Sequence, residues 1–335
     1  MVNNPGKWEF TYPTLKHAEW DGLTLADFVF PFFLFIMGCS AWLSISSQVA
    51  RGVSKGVILR KAAIRSGKLF AIGIGIGLFW DHHLATFRIL GVLQRIGIVN
   101  LVVAAFALYV PPRGWLAYAM AILIGVLVLF KLAPQPDQGN WYAWLDHHIL
   151  GEHAYRGTFP LDAEGIFSTL PAVATALLGL WVGRRQQLEG LGVLERLLPV
   201  GIGLMAFAAT LHFTGLNPIN KMLWSPAFVA ATGGAAIVLL ALAHMGQHVP
   251  GVGAVQRALI PVGLNPIAIY VMAELSEHLI NQKFNGLSMK HRFMLLVNYI
   301  SPHLCLNSLL WPLTLIAFWV IVAHVLYRRK VFFKV

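Results

Sequence analysis

The chain has 335 residues, of which 57% are apolar and only 12% charged, with a mean hydropathy of +0.68. That balance exceeds what a soluble domain of this length needs for its core, and it describes a polytopic membrane protein. The formal charge of +11 is spread over several short segments between apolar runs, so it reads as a topology signal and implies no nucleic-acid partner.

The opening MVNNPGKWEF has no basic region followed by an apolar core, so no cleavable leader is expected. The most informative stretch follows: HAEWDGLTLADFVFPFFLFIMG, His17 to Gly38, in which a histidine and three carboxylates run without a break into a spanning segment. Asp27 lies among Leu, Phe, Val and Ile, where a lipid-facing carboxylate costs about 2.5 kcal/mol or more. Such a group belongs in a bundle interior or a wet cavity.

Apolar runs predict nine spans, near 24–47, 66–80, 92–110, 115–131, 165–183, 197–214, 226–244, 258–279 and 306–326. The second is short for a bilayer unless it starts among the basic residues before it. One set of alternate loops gathers 15 of the 25 Lys and Arg, led by Arg51, Lys55, Arg60, Lys61, Arg65 and Lys68, and only Glu189 and Glu195 among the acids. The positive-inside rule then puts the C-terminus in the cytoplasm and His17 outside. The segment from about 132 to 164, rich in Pro, Trp, His and Asp, is an outer loop long enough to expect a role. Cys39 and Cys305 sit in or beside spans without metal-ligand spacing and read as packing residues. The Asp-His-His runs at 81–83 and 146–148 lack the spacing and third ligand of a zinc site, so no metal is expected.

Seven ordered blocks together carry a resemblance: VNNPG (Val2 to Gly6), the His17 to Gly38 stretch, FRILGVLQRIG (Phe87 to Gly97), LDAEGIFSTLPAVATALLG (Leu161 to Gly179), NPINKMLWS (Asn217 to Ser225), GLNPIAIYV (Gly263 to Val271) and the closing LYRRKVFFKV. The chain resembles the catalytic membrane domain of the heparan-alpha-glucosaminide N-acetyltransferase family and its bacterial relatives, within the wider transmembrane acyltransferases. The resemblance implies an all-α, multi-pass protein of a bacterial inner membrane. Members begin with a further span ending at the VNNPG segment; the chain starts at Met1, just before it, so residues 1–23 read as an outer catalytic segment with the remnant of a shortened first span. Residues 24–335 read as the transmembrane acyltransferase domain, with nine helices here and ten if that span is restored.

By the same resemblance, the acetyl group of cytoplasmic acetyl-CoA is passed to a periplasmic amino sugar of glucosamine type, with a homodimer as the implied assembly. His17 aligns with the family's catalytic histidine and Asn3 with its asparagine partner. Imidazole suits either proton transfer from the attacking amine or a two-step acetyl relay. Asp27 orients the histidine, neutralises a pocket arginine such as Arg88 or Arg95, or forms a structural pair between helices. Arg65 and Lys68 are the candidates to grip the donor's phosphates, beside their plain role as positive-inside anchors. Arg88 and Arg95 either bind the donor or pair with carboxylates. Asn217, Asn220, Lys221 and Trp224 offer amides, an ammonium and an indole to a sugar, or else a turn and an interfacial anchor. The rival class is a permease for N-acetylglucosamine or its oligomers, which intramembrane carboxylates such as Glu274 and Glu277 would also suit; no internal repeat of the kind common in secondary transporters supports it.

Overall fold

The computed structural model describes residues 4–132, 141–155 and 161–333. In chain order the helices are α1 (Val29–Ala50), α2 (Lys55–Trp80), α3 (Val92–Tyr109), α4 (Trp115–Leu132), α5 (Trp141–Leu150), α6 (Ile166–Glu189), α7 (Val193–Arg196), α8 (Leu198–Phe213), α9 (Pro226–Gly246), α10 (Val252–Leu264), α11 (Pro266–Asn281), α12 (Met289–Ile300) and α13 (Leu304–Arg328). A two-residue hairpin, β1 (Lys283–Phe284) against β2 (Leu287–Ser288), precedes α12. Among the described residues eight helical segments are long and apolar enough to cross a bilayer, and the bent pair α10 and α11 makes up to nine. The protein is an all-α polytopic membrane protein, as lipid requires of a chain whose backbone hydrogen bonds must close within each span.

Two corrections to the sequence reading concern span ends. The second span begins at Lys55 rather than at 66, so Arg60, Lys61, Arg65 and Lys68 lie on the helix itself. The segment 258–279 is not one straight span: α10 and α11 meet at a 75° bend. The break is the Asn265-Pro266 dipeptide, where proline starts the new helix and Asn265 leaves helical geometry.

The chain forms two compact units. The larger is built from Ala18–Leu23 and Asp27–Met245. Its central helices are α6 and α9, each with 72% of its most apolar stretch buried, against 17% for α2. In lipid, helices gain little from hiding apolar surface and associate by close packing, which small residues allow. Gly179 and Gly183 of α6 bring its backbone onto α1: a Cβ at Gly179 would lie 2.0 Å from the Phe35 carbonyl oxygen, and one at Gly183 would lie 2.7 Å from that of Cys39. Phe35, Cys39, Val182, Val193, Leu194, Ile237 and Ala241 then close a core shared by α1, α6, α7 and α9. Between α2 and α3, buried Asn100 donates to Ser66 Oγ at 3.0 Å.

The smaller unit holds the chain before residue 18, Thr24–Ala26 and the chain from Gly246 onward. Its N-terminal strip is fastened to α13, with Gly6 N–H donating to the Ser308 carbonyl at 3.0 Å and Lys7 N–H to Ser308 Oγ at 2.9 Å. Asn4 Oδ1 accepts from Trp311 Nε1 and Lys290 Nζ, each at 3.4 Å. Asn265 joins the α10–α11 bend to the closing segment, donating to the Val331 carbonyl at 3.1 Å and accepting from Phe333 N–H at 2.9 Å.

Candidate active site

One end of the larger unit concentrates buried charge. Asp27 sits in the 3-10 turn Leu25–Phe28 that leads into α1, and it is 1% exposed. Its Oδ1 lies 3.6 Å from Lys221 Nζ, and its Oδ2 accepts the Ala18 N–H at 3.2 Å. The ion-pair partner is therefore Lys221 and not Arg88 or Arg95, because those arginines are held by other carboxylates and by α6. Burial lowers the Lys221 pKa although Asp27 works to raise it.

Arg88 forks onto Asp162, with Nε to Oδ2 at 3.1 Å and Nη2 to Oδ1, and Nη2 also meets Glu164 Oε2 at 2.5 Å. Its guanidinium stacks over the Tyr155 ring at 4.6 Å. Burial alone would raise the Glu164 pKa, but Arg88 and then Arg95 hold the carboxyl below the usual range. Against the cost of burial, Glu164 and Asp162 raise the Arg88 pKa. Arg95 on α3 is wholly buried, with Nη2 donating to Ser168 Oγ and, at 3.3 Å, to the Gly165 carbonyl at the start of α6. Its guanidinium also faces Trp224 at 5.0 Å and Phe30 at 5.8 Å.

The 217–225 turn is built differently from the outward patch its composition suggests. Asn217, Asn220 and Trp224 are 2%, 0% and 1% exposed. Asn217 Oδ1 accepts Ala227 N–H at the start of α9, while Asn220 Oδ1 accepts Leu223 N–H and Nδ2 donates to Asp21. Trp224 takes a φ of +50° and donates its indole N–H to Thr175 Oγ1 on α6 at 3.1 Å. These hydrogen bonds shape the turn; Lys221, with a side chain 19% exposed, is its half-open member. Sequence reasoning did not single out Asp162, Glu164, Ser168 or Thr175, although all four lie in the LDAEGIFSTLPAVATALLG block. Their signal was the presence of two carboxylates just ahead of a span, matched to two arginines ahead of and at the head of another.

His17 is exposed, in a loop of the smaller unit where the Lys16 carbonyl accepts Thr24 Oγ1 at 2.6 Å. Asn3 lies outside the described residues. Arg65 and Lys68 are exposed on α2 and do not join the cluster. A cavity of about 540 Å³ opens beside the basic ends of α1 and α2, lined by Trp42, Ser46, Lys55, Tyr109 and Pro111 among others, with Lys55 as its charged residue.

Asp146 on α5 caps α6 by accepting Ile166 N–H at 2.8 Å. Burial pushes its carboxyl from 3.8 up to about 6, against that hydrogen bond. Because the folded pKa is the higher one, the contribution of Asp146 to stability is complete below pH 3.8 and is lost as pH rises through about 6. Glu164 has the opposite sign, since its depressed pKa favours the fold above its ordinary range and less so as pH falls. Asp146→Asn keeps an acceptor for Ile166 and cannot ionise. Its melting temperature is expected to exceed that of the parent at neutral pH and to converge with it near pH 4; a gap that is independent of pH would contradict the assignment.

A sequence model described as "Heparan-alpha-glucosaminide N-acetyltransferase, catalytic" matches residues 8–198. Heparan-alpha-glucosaminide N-acetyltransferase of Homo sapiens is 29% identical over 399 aligned residues, which cover 99% of this chain and 57% of the relative. That of Mus musculus is 27% identical over 400, covering 99% and 58%. The chain thus spans under three-fifths of the length of these curated relatives. With more than half of its residues inside the family match, the chain belongs to the heparan-alpha-glucosaminide N-acetyltransferase catalytic family.

Proposed function

We propose that this chain is a transmembrane N-acetyltransferase that takes the acetyl group of acetyl-CoA on the cytoplasmic side and delivers it to the amino group of a glucosamine-type sugar on the opposite side. The observation that carries the reading is convergence. Four blocks far apart in the chain, containing Asp27, Arg88 with Arg95, Asp162 with Glu164, and Lys221, bring their charged groups into one buried cluster at one end of the helix bundle. Charges taken out of water at this cost are characteristic of functional sites.

In this reading His17 is the catalytic residue, accepting the amine proton as nitrogen attacks the thioester carbonyl, or carrying the acetyl group between the two substrates. Asn3 supports it by holding the imidazole tautomer or by donating to the developing oxyanion. The donor's phosphates stay at the basic face, because several negative charges do not cross a low-dielectric layer. Arg65 and Lys68 belong to that face, and the cavity beside Lys55 is the opening there that best suits the pantetheine arm. The basic loops support a cytoplasmic C-terminus.

The test is transfer of labelled acetyl from acetyl-CoA to glucosamine by detergent-purified protein, compared with His17→Ala. Transfer is expected from the parent, with a loss of at least about 100-fold in the variant, the usual scale of a general base. Equal rates in both would remove His17 from the chemistry, and no transfer by either would remove the enzyme.

A further inference from the structure

Arg95 is an anomaly within the cluster. A guanidinium carries five N–H donors and is rarely buried without partners for them. Here the side chain is 0% exposed, and Nη2 is fixed by Ser168 Oγ and the Gly165 carbonyl, while Nε and Nη1 are buried with no hydrogen-bond partner among the described residues. The flanking Trp224 and Phe30 rings attract the cation, but π faces are weak acceptors for N–H groups. One nitrogen of the guanidinium is therefore clamped, while three of its five N–H groups, one on Nε and two on Nη1, meet no acceptor among the described residues.

Charge balance restricts what they are for. Among the described residues the cluster holds three cations, Arg88, Arg95 and Lys221, facing the carboxylates of Asp27, Asp162 and Glu164, with Asp146 close by. Among these residues no positive charge is left over for a phosphate or another full anion. The fitting partner is an uncharged oxygen acceptor that gains negative charge only transiently. Such a partner is bound more strongly in the transition state than in the ground state, which is the condition for rate acceleration.

We propose that Nη1–H of Arg95 receives the carbonyl oxygen of the acyl group during transfer. The step rests on the acetyltransferase reading above. A nucleophilic nitrogen attacks the thioester carbon and the C–N bond forms. The carbonyl π pair moves onto oxygen, where Nη1–H of Arg95 stabilises it. As the carbonyl re-forms, the C–S bond breaks and its electron pair leaves on sulfur. The proton lost by nitrogen passes to a base and ends on the thiolate, so the products are the amide and the free thiol. Arg88 and Lys221 are the partly exposed members of the cluster.

Two measurements test the proposal on the full chain. In the first, Arg95→Lys keeps the charge but not the fork. It is expected to lower kcat by about 100- to 1,000-fold, the range for loss of an oxyanion donor, while KM for acetyl-CoA changes less than about threefold. In the second, infrared difference spectra of acetyl-CoA labelled with ¹³C at the carbonyl are recorded on the parent protein. The bound thioester carbonyl is expected to absorb at lower frequency than in water, and this shift needs no variant if Arg95→Lys fails to fold. A parent that transfers acetyl without a carbonyl shift, or an Arg95→Lys protein with kcat within threefold of the parent, overturns the Arg95 role alone. A parent that neither binds nor transfers the acetyl group overturns the acetyltransferase reading and this proposal with it.

Discussion

Asp27→Ala is expected to destabilise the protein by about 3–5 kcal/mol, the cost of removing one member of a buried ion pair. Asp27 is 1% exposed, and its loss removes the carboxylate 3.6 Å from the Lys221 ammonium and the acceptor of the Ala18 N–H. Much of the cost is the lysine deprived of this carboxylate and not the worth of the pair itself. The double variant Asp27→Ala with Lys221→Met should therefore recover most of the lost stability, although not activity. Thermal unfolding of the detergent-solubilised parent, single and double variants measures this. A single variant that melts within a degree or two of the parent would show that Lys221 is satisfied without Asp27.

The second large effect is steric. At Gly179 a Cβ would lie 2.0 Å from the Phe35 carbonyl oxygen and 2.8 Å from its carbon, both backbone atoms of α1 that no rotamer change can move aside. Gly179→Val is expected to force α1 and α6 apart and abolish the folded, monodisperse protein on size exclusion. The buried cluster would go with it, since Asp27 leads into α1 while Ser168 and Thr175 belong to α6. Gly203→Ala is the control: it places a methyl group where nothing lies within 4 Å, on a helix that gains about 1 kcal/mol from alanine in place of glycine. If Gly179→Val folds as well as Gly203→Ala, the α1–α6 contact is not the packing determinant described here.

Most of the architecture is legible in the sequence because lipid restricts a spanning chain to closed hydrogen bonding, so apolar runs map directly onto helices. Asp27 is legible for the same reason, since a carboxylate in such a run must find a partner. Which partner it finds is not legible: Arg88, Arg95 and Lys221 are equivalent by charge, and the choice depends on how the 217–225 turn folds back toward the head of α1. The α10–α11 bend escapes a hydropathy reading because averaging over a window removes the single Asn265-Pro266 step. Asn217 and Asn220 are polar at a span entrance, which resembles a sugar patch until their hydrogen bonds to Ala227, Leu223 and Asp21 are seen. The unspent donors of Arg95 are a property of tertiary packing alone.

The central claim, acetyl transfer from one membrane face to the other, is tested most directly in sealed proteoliposomes with labelled acetyl-CoA on one side and glucosamine trapped on the other. The account predicts labelled N-acetylglucosamine in the glucosamine compartment, formed at a rate that falls with His17→Ala, while CoA stays behind. Product that forms only when both substrates share a compartment, or uptake of N-acetylglucosamine with no acetylation, would contradict it.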